Sequence, residues 1–268
     1  MRAFLRKLPF FADLFRHIRS RRGQFMRPRR SVSGFWFVGM QEQISETYEH
    51  QIASFLLKSH QRFGHFINAG ANTGYWPVFL RHHGFDKKIT LIEPDQLNLV
   101  ILKRNLKINQ LENITIEEIA VGNSSGVIEL HGFGTGISAI KGWAGGSSKR
   151  VQRVRIAPID EVLSEDFSPV LVLIDVEGFE LEVLRGATKL LEGKSEFLIE
   201  IAAFEHQPEG VAINPNFFDA FAIMKKFGFN AFGWVPDYQS VTDEQLGLIA
   251  KQELSPAIQM YHFKKLVG

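Results

Sequence analysis

An α/β fold built around a mostly parallel, doubly wound sheet is what this sequence predicts. Three observations carry that reading. Short apolar runs alternate with stretches of helical three-and-four periodicity through most of the chain. One run, Val170-Leu-Val-Leu-Ile174, is continuously apolar, as a strand buried on both faces must be. The chain has 268 residues, 45% of them hydrophobic and 22% charged, which is enough for one large core.

The elements follow in order. Ile44, Tyr48, Ile52, Phe55 and Leu56 fall on one helical face between about residues 44 and 60. His65–Ala69 is a first strand, running into Gly-Ala-Asn-Thr-Gly, and Tyr75–His83 is a helix stopped at Gly84. Lys88–Ile92 is a second strand closed by Glu93-Pro94, and Asp95 caps a helix whose apolar positions are Leu99, Leu102 and Leu106. Ile114–Ile119 is a third strand. Residues 126–156 then break the alternation: Val127–Leu130 and Val151–Ile156 alternate like exposed strands around a glycine-rich loop. After Val170–Ile174 comes Asp175-Val-Glu177-Gly178 and a helix bearing Leu181, Val183, Leu184, Leu190 and Leu191. Phe197–Ile201, a helix over Phe217–Phe227, and strands at Asn230–Trp234 and Gln259–Phe263 complete the chain.

Charge divides the molecule. Residues 1–30 hold ten Lys or Arg against one Asp, a net +9, whereas the other 238 residues hold 21 bases and 28 acids, a net −7. Within the basic head, Phe4, Leu8, Phe11, Phe15 and Ile18 fall on one helical face, with Pro9 kinking or starting the helix. Two readings stand: a helix lying on anionic membrane through residues 1–30, or a leader docked on the body. Nucleic acid is disfavoured because the remainder is acidic, and a secretory signal is disfavoured because Asp13 and Arg16 interrupt the apolar stretch. The expected division is an arm and linker over 1–43 and one domain over 44–268. The expected location is cytoplasmic, with peripheral membrane contact. Cys is absent, which excludes disulfides, thiolate zinc and a cysteine nucleophile. No run of 18 uncharged apolar residues suggests a membrane span.

Open parallel sheets bind ligands outside the carboxyl ends of their strands. That singles out Asn68–Gly74, Glu93, Ile119–Gly122, Asp175–Gly178 and Glu200. Gly70 and Gly74 allow a tight turn and close approach of a ligand. The dinucleotide fingerprint fails, because Asn72 and Tyr75 occupy its second and third glycine positions, and no GxxxxGK[ST] occurs. Glu93, 19 residues after Gly74, can accept from both hydroxyls of a ribose. A ribose acid without a phosphate cradle suits an adenosine lacking phosphates, of which S-adenosylmethionine is the common example. The competing reading is a plain strand-to-helix turn with a surface Glu.

At this point the motifs resemble the FkbM family of S-adenosylmethionine-dependent methyltransferases. Asn68-Ala-Gly-Ala-Asn-Thr-Gly-Tyr75 resembles the family's D-x-G-A-N-x-G-Y, and Leu91-Ile-Glu-Pro94 its E-P segment. Asn105 and Asn109 match spaced Asn positions, and Ala120-Val-Gly122 with Gly126 resembles A-V-G-x-x-x-G. Pro158–Leu163 resembles L-D-x-x-L, and Ile174-Asp-Val-Glu-Gly-Phe-Glu-Leu-Glu-Val-Leu-Arg-Gly186 is similar to the long I-D-V-E-G-x-E-x-x-V-L-x-G signature. The resemblance covers about residues 44–204. It implies a Rossmann-like class I methyltransferase fold, a seven-stranded sheet with one antiparallel strand near an edge. It also implies methyl transfer to an oxygen of a small molecule, sugar or polysaccharide precursor. Gly70, Asn72 and Gly74 would then surround the methionine part, with Glu93 at the ribose, and Asn68, Ala71, Tyr75 and Pro94 would be further cofactor-binding residues. Ile119 and Ala120 would lie at the adenine, and Asp175 and Glu177 at the reacting methyl. Two positions depart from the family: Asn68 replaces an Asp, and Leu173 replaces a Lys that often precedes the signature.

A hydroxyl acceptor needs a base, and Asp175, Glu177, Glu200 and His206 are the candidates, with Asp175 first because it ends a buried strand. Against this, Asp175 can simply cap the next helix, Glu177 can favour its N-terminus, and His206 can be a polar loop residue. No spacing demands a metal. The loop 132–149, with Ser138, Lys141 and Trp143, is a candidate lid with an aromatic wall for the acceptor, or else a flexible connection. The competing functions are a methyltransferase-fold binding protein recruited through the basic arm, and a nucleotide-sugar or dinucleotide enzyme.

Overall fold

A computed structural model describes residues 25–45, 48–132, 134–145, 151–163, 169–234, 238–256 and 259–266. The expected leader helix through residues 4–18 lies outside them. The first element is a two-rung hairpin of β1 (Arg29–Arg30) and β2 (Trp36–Phe37). A 3-10 turn over Glu42–Ile44 follows, then α1 (His50–Ser59), so the expected single helix is shorter and starts later. β3 (His65–Ala69), α2 (Tyr75–His82), β4 (Lys88–Ile92), α3 (Gln96–Ile108) and β5 (Ile114–Glu117) then alternate. The excursion comprises β6 (Ala120–Val121), β7 (Gly126–His131) and β8 (Val151–Ala157). The alternation resumes with α4 (Ile159–Val162), β9 (Val170–Ile174), α5 (Glu180–Arg185), α6 (Thr188–Glu192) and β10 (Ser195–Glu200). It ends with α7 (Phe217–Lys226), β11 (Phe229–Gly233), β12 (Gln239–Ser240), α8 (Asp243–Ala250) and β13 (Met260–Lys265).

The main sheet has the order β12-β11-β13-β10-β9-β3-β4-β5. β5, β4, β3, β9 and β10 are mutually parallel. β13 runs antiparallel to both β10 and β11, so β11 points the same way as β10. These seven strands form the class I methyltransferase sheet that the resemblance implied. The count needs correcting to eight, because the two-residue β12 extends the edge beyond β11. The third expected strand also divides. It ends at Glu117, two residues short of Ile119, and the next two strand residues, Ala120–Val121, pair with β8 in a separate three-stranded sheet.

Pleating sends alternate residues to opposite cores. Ile67, Val172, Ile174, Phe197 and Ile199 face Val183, Leu184, Leu190, Phe217 and Phe221 from α5, α6 and α7. Phe66, Leu91, Leu171, Leu173 and Leu198 face Leu56, Val78, Phe79, Leu102 and Leu106 from α1, α2 and α3. One helix expected over 181–191 is two, parted at Gly186: a Cβ there would lie 2.0 Å from the Gly122 carbonyl oxygen. α8 was missed, although Thr242 and Gln245 form a capping box that the sequence spells out.

The stretch assigned to the linker is partly folded onto the body. Phe35, Phe37 and Val38 are buried, the two phenylalanines in the second core. Two asparagines of α3 hold this segment by mimicking a strand. Asn105 accepts from Val38 N at 2.7 Å and donates to Val38 O at 2.9 Å and Thr73 O at 2.8 Å. Asn109 accepts from Trp36 N at 3.2 Å and donates to Trp36 O at 2.7 Å. Spacing four apart puts both amides on one helical face, which explains why Asn recurs there. Replacing Asn105 with Leu leaves three main-chain groups unanswered, two of them on the buried Val38. The expected loss is about 2–4 kcal/mol in urea unfolding, and an unchanged midpoint would show that the amide pins nothing.

Candidate functional site

The carboxyl ends of β3, β4 and β9 converge on a cleft that opens to solvent. Its floor begins with the turn after β3. Gly70 N and Ala71 N both donate to Ile92 O at 3.0 Å, tying the turn to β4. Gly70 has φ +82, and a Cβ there would lie 1.7 Å from the Asp175 carbonyl oxygen. The glycine is therefore demanded by the main chain of β9, not only by ligand access. Asn72 adopts φ 49, and Gly74, with φ +82, leads into α2.

Glu93 ends β4 and is buried. One of its oxygens accepts from Asn72 N at 2.7 Å, and the other accepts from Asp95 N at 2.8 Å and Asn98 Nδ2 at 3.3 Å. A carboxylate offers about four acceptor positions, so these three donors leave room for a fourth on the oxygen that faces Asn72. Burial pushes the acid up to about 7 despite those bonds. Asp95 accepts from Leu97 N and Asn98 N, which starts α3 where the sequence placed it.

The opposite wall is the turn after β9. Asp175 N donates to Ala69 O at 3.0 Å, and Glu177 and Gly178 follow with φ 56 and φ 94. The buried Glu180 accepts from Gly178 N at 2.8 Å, and burial raises it to about 7. Asp175 is raised to about 6 by burial and hydrogen-bonds Glu200. The Asp175 charge, then burial, push Glu200 well above the ordinary carboxylate range, so the two carboxyls hold a proton as a pair. Glu49, at the start of α1, is raised to about 7 by burial and by the Asp175 charge. The roof is the excursion, with Ile119, Val121, Ile128, Leu130, Ile137 and Ala139 as its apolar lining.

The predicted site residues divide. Gly70, Asn72, Glu93, Pro94, Ile119, Ala120, Asp175 and Glu177 line the cleft. Asn68, Ala71, Gly74 and Tyr75 stand behind it. Tyr75 packs among Phe35, Phe37 and Tyr48, and Asn68 is buried in β3 with its Nδ2 lacking a partner. Glu200 joins through Asp175. His206 is exposed, and its carbonyl accepts from Ala144 N at 2.7 Å. Trp143 is not an open aromatic wall: it is 3% exposed and donates to Glu177. Sequence reasoning missed Glu49, Asn98 and Glu180, which carry no glycine or strand-end signal. Among the described residues, every charged one lining the cleft is acidic: Glu93, Asp175 and Glu177. Among the described residues no His, Asp and Glu cluster is arranged for a metal, and no helix is long and apolar enough to cross a membrane.

The sequence model of the family described as Methyltransferase FkbM domain matches residues 68–231. The chain belongs to the FkbM methyltransferase family. This FkbM chain is also similar to solved structures. A precorrin-6y C5,15-methyltransferase from Geobacter metallireducens is 10% identical, covering 86% of this chain and 94% of that one, with a TM-score of 0.47. An rRNA methylase from Streptococcus thermophilus is 14% identical, covering 81% and 96%, with a TM-score of 0.42. A ribosomal protein L11 methylase from Lactobacillus delbrueckii is 8% identical, covering 81% and 78%, with a TM-score of 0.43. No curated protein matches the chain significantly.

The raised acids of this FkbM domain make its stability depend on pH. Glu93, Glu180 and Glu49 move from 4.5 to about 7, and Asp175 from 3.8 to about 6. The fold favours their protonated forms. Their contribution is complete below the unfolded values and is lost as pH rises through the folded ones. Thermal midpoints of the ligand-free protein should fall as buffers are stepped from about pH 5 to about pH 7.5. A midpoint that stays level or climbs over that window contradicts the assignment.

Proposed function

We propose that this chain transfers a methyl group from S-adenosylmethionine to a hydroxyl oxygen of a small molecule, sugar or polysaccharide precursor. One observation carries the choice of donor: a cleft whose charged lining, among the described residues, is wholly acidic. Such a lining repels the phosphates of NAD, ATP or a nucleotide sugar and favours a cation. The residues present fit the cofactor. Ile119, Ala120, Ile128 and Leu130 offer an apolar face for the adenine. Glu93 has acceptor capacity for a ribose hydroxyl. Gly70 and Asn72, whose Oδ1 has no partner, border the methionine side. When bound, the cofactor supplies an electrophilic methyl on a sulfonium.

The chain's own task is alignment and proton removal. Asp175 lies at the cleft and is paired with Glu200. Asp175 and Glu200 share one proton as a coupled pair, and the negative charge left on the pair can take the acceptor's hydroxyl proton. Thermal shift with S-adenosylmethionine, S-adenosylhomocysteine, NAD and ATP tests the donor. A ligand at about 100 times its dissociation constant adds roughly 2.7 kcal/mol, expected here for the first two only. Silence from the sulfonium pair, or a larger response to NAD, removes the reading. Glu93→Ala should abolish the shift. Asp175→Asn should keep it and lower turnover by roughly 10²- to 10⁴-fold; full turnover in that variant excludes Asp175 as the base.

Contact with an anionic membrane is a second proposal. Arg30 and Trp36 are paired across the hairpin that follows the basic head, and both are exposed, with Val32 exposed at its turn. A basic, apolar projection of this kind suits an anionic lipid surface. Trp36→Ser with Val32→Ser should lower co-sedimentation with vesicles containing phosphatidylserine, and more so in high salt, where the arginines are screened. Equal sedimentation of variant and parent would dismiss the contact.

A further inference from the structure

We propose that Trp143 is a positioning residue for the reaction: it clamps Glu177 at the mouth of the cleft and so ties the glycine-rich loop to the reaction centre. The inference rests on the methyltransferase reading above and adds a residue to it.

The contacts converge from three loops. Trp143 Nε1 donates to Glu177 Oε2 at 2.7 Å, and Ser138 Oγ donates to Glu177 O at 2.6 Å. The same Glu is therefore held by its side chain and by its main chain, both times from the loop after β7. Ser138 is itself fixed. It is 2% exposed, exchanges both main-chain hydrogen bonds with His131, and accepts at Oγ from Ile140 N at 2.9 Å. Ala144 N then donates to His206 O at 2.7 Å, stitching the loop after β10 to the other two.

Steric fit says the same. Gly178 has φ +94, and a Cβ there would lie 2.6 Å from the Trp143 ring. The indole thus packs flat on the main chain of the signature turn. Glu177 adopts φ 56, a left-handed conformation that a non-glycine residue holds only when its surroundings impose it. The loop contacts supply that imposition. An indole N–H can only donate, so the bond favours Glu177 as a carboxylate in one orientation. Glu177 lines the cleft beside Asp175, and its charge is one of those that raise Glu200. Ile137, Ser138 and Ala139 line the same cleft, so a displaced clamp would open its roof as well as release the acid.

The decisive variant is Trp143→Phe, which keeps an aromatic ring and deletes the donor. A hydrogen bond to a charged group corresponds to roughly a 10- to 100-fold effect, and kcat should fall by that factor. KM for S-adenosylmethionine should stay within about twofold, because Glu93 and the proposed adenine face of Ile119, Ala120, Ile128 and Leu130 make no contact with Trp143 or Glu177 in the clamp. Glu177→Ala should match it, and the double variant should be no slower than Glu177→Ala alone. Unchanged turnover in Trp143→Phe, or effects that multiply in the double variant, would overturn the clamp. Hydrogen exchange over residues 134–145 supplies a readout without ligand. It should quicken in Trp143→Phe and in Glu177→Ala, and equal protection in variant and parent refutes the clamp. If the parent binds no sulfonium compound yet exchange quickens as expected, the clamp stands and the methyltransferase reading falls.

Discussion

Glu93, Glu180, Asp175, Glu200 and Glu49 are drawn away from water at one edge of a single sheet, and burial or one another's charge pushes each of them upward. Among the described residues no Lys or Arg lines the cleft they border. Concentrated negative charge of this kind is costly unless it is protonated, hydrogen-bonded by the main chain, or met by a cation. The structure uses the first two. Main-chain N–H groups of Asn72, Asp95 and Gly178 point at Glu93 and Glu180, and Asp175 shares a proton with Glu200. The third remedy is left to a ligand, which is why the sign of the cleft says more about its occupant than its shape does.

The two departures from the family pattern look different once the register is known. Read singly, Asn68 loses an anion and Leu173 loses a cation. In the sheet they are direct partners across β3 and β9. Their side chains therefore share a face, the one where Leu91, Leu173 and Leu198 pack. An acid and a lysine there would have answered each other. Removing one partner of a buried pair is costly, whereas replacing both with neutral groups is often close to neutral. The pair of changes reads as one exchange, and its trace is the buried Nδ2 of Asn68 without a partner. Asp175 and Glu200 lie one step further along the same face, so this exchange also leaves their coupling uncompensated.

Most of the architecture was legible because its signals are local. Val170–Ile174 and Lys88–Ile92 are strands with the expected bounds, and Asp95 caps where an aspartate before an apolar-periodic stretch should. Glu93 and Asp175 were legible as strand ends in a parallel sheet. What was not legible depends on approach between distant segments. Gly70 is required by the Asp175 carbonyl, 105 positions later in the sequence, and Gly178 by the Trp143 ring. Asn105 and Asn109 were visible as a spacing, but only the folded chain shows that they substitute for a strand beside Trp36 and Val38. Glu49 sits outside every strand end, so no positional rule points to it.

The stretch that broke the pattern is the one that makes the cleft a site. Strand–helix alternation yields an open rim, with Glu93 on one side and Asp175 on the other and nothing above them. The excursion between β5 and β9 closes that rim. β6 turns out of the main sheet, β7 and β8 form an independent antiparallel pair, and Ile128, Leu130, Ile137 and Ala139 come down as an apolar ceiling. A ceiling of this composition removes water from above the carboxylates, which is the same burial that raises Glu93. The glycines within it, Gly132, Gly134 and Gly142, all carry positive φ and let a short loop fold back on His131 and reach Glu177. The ceiling and the acids beneath it are thus one device: the loop's conformation sets how strongly the rim's charge is felt by whatever enters.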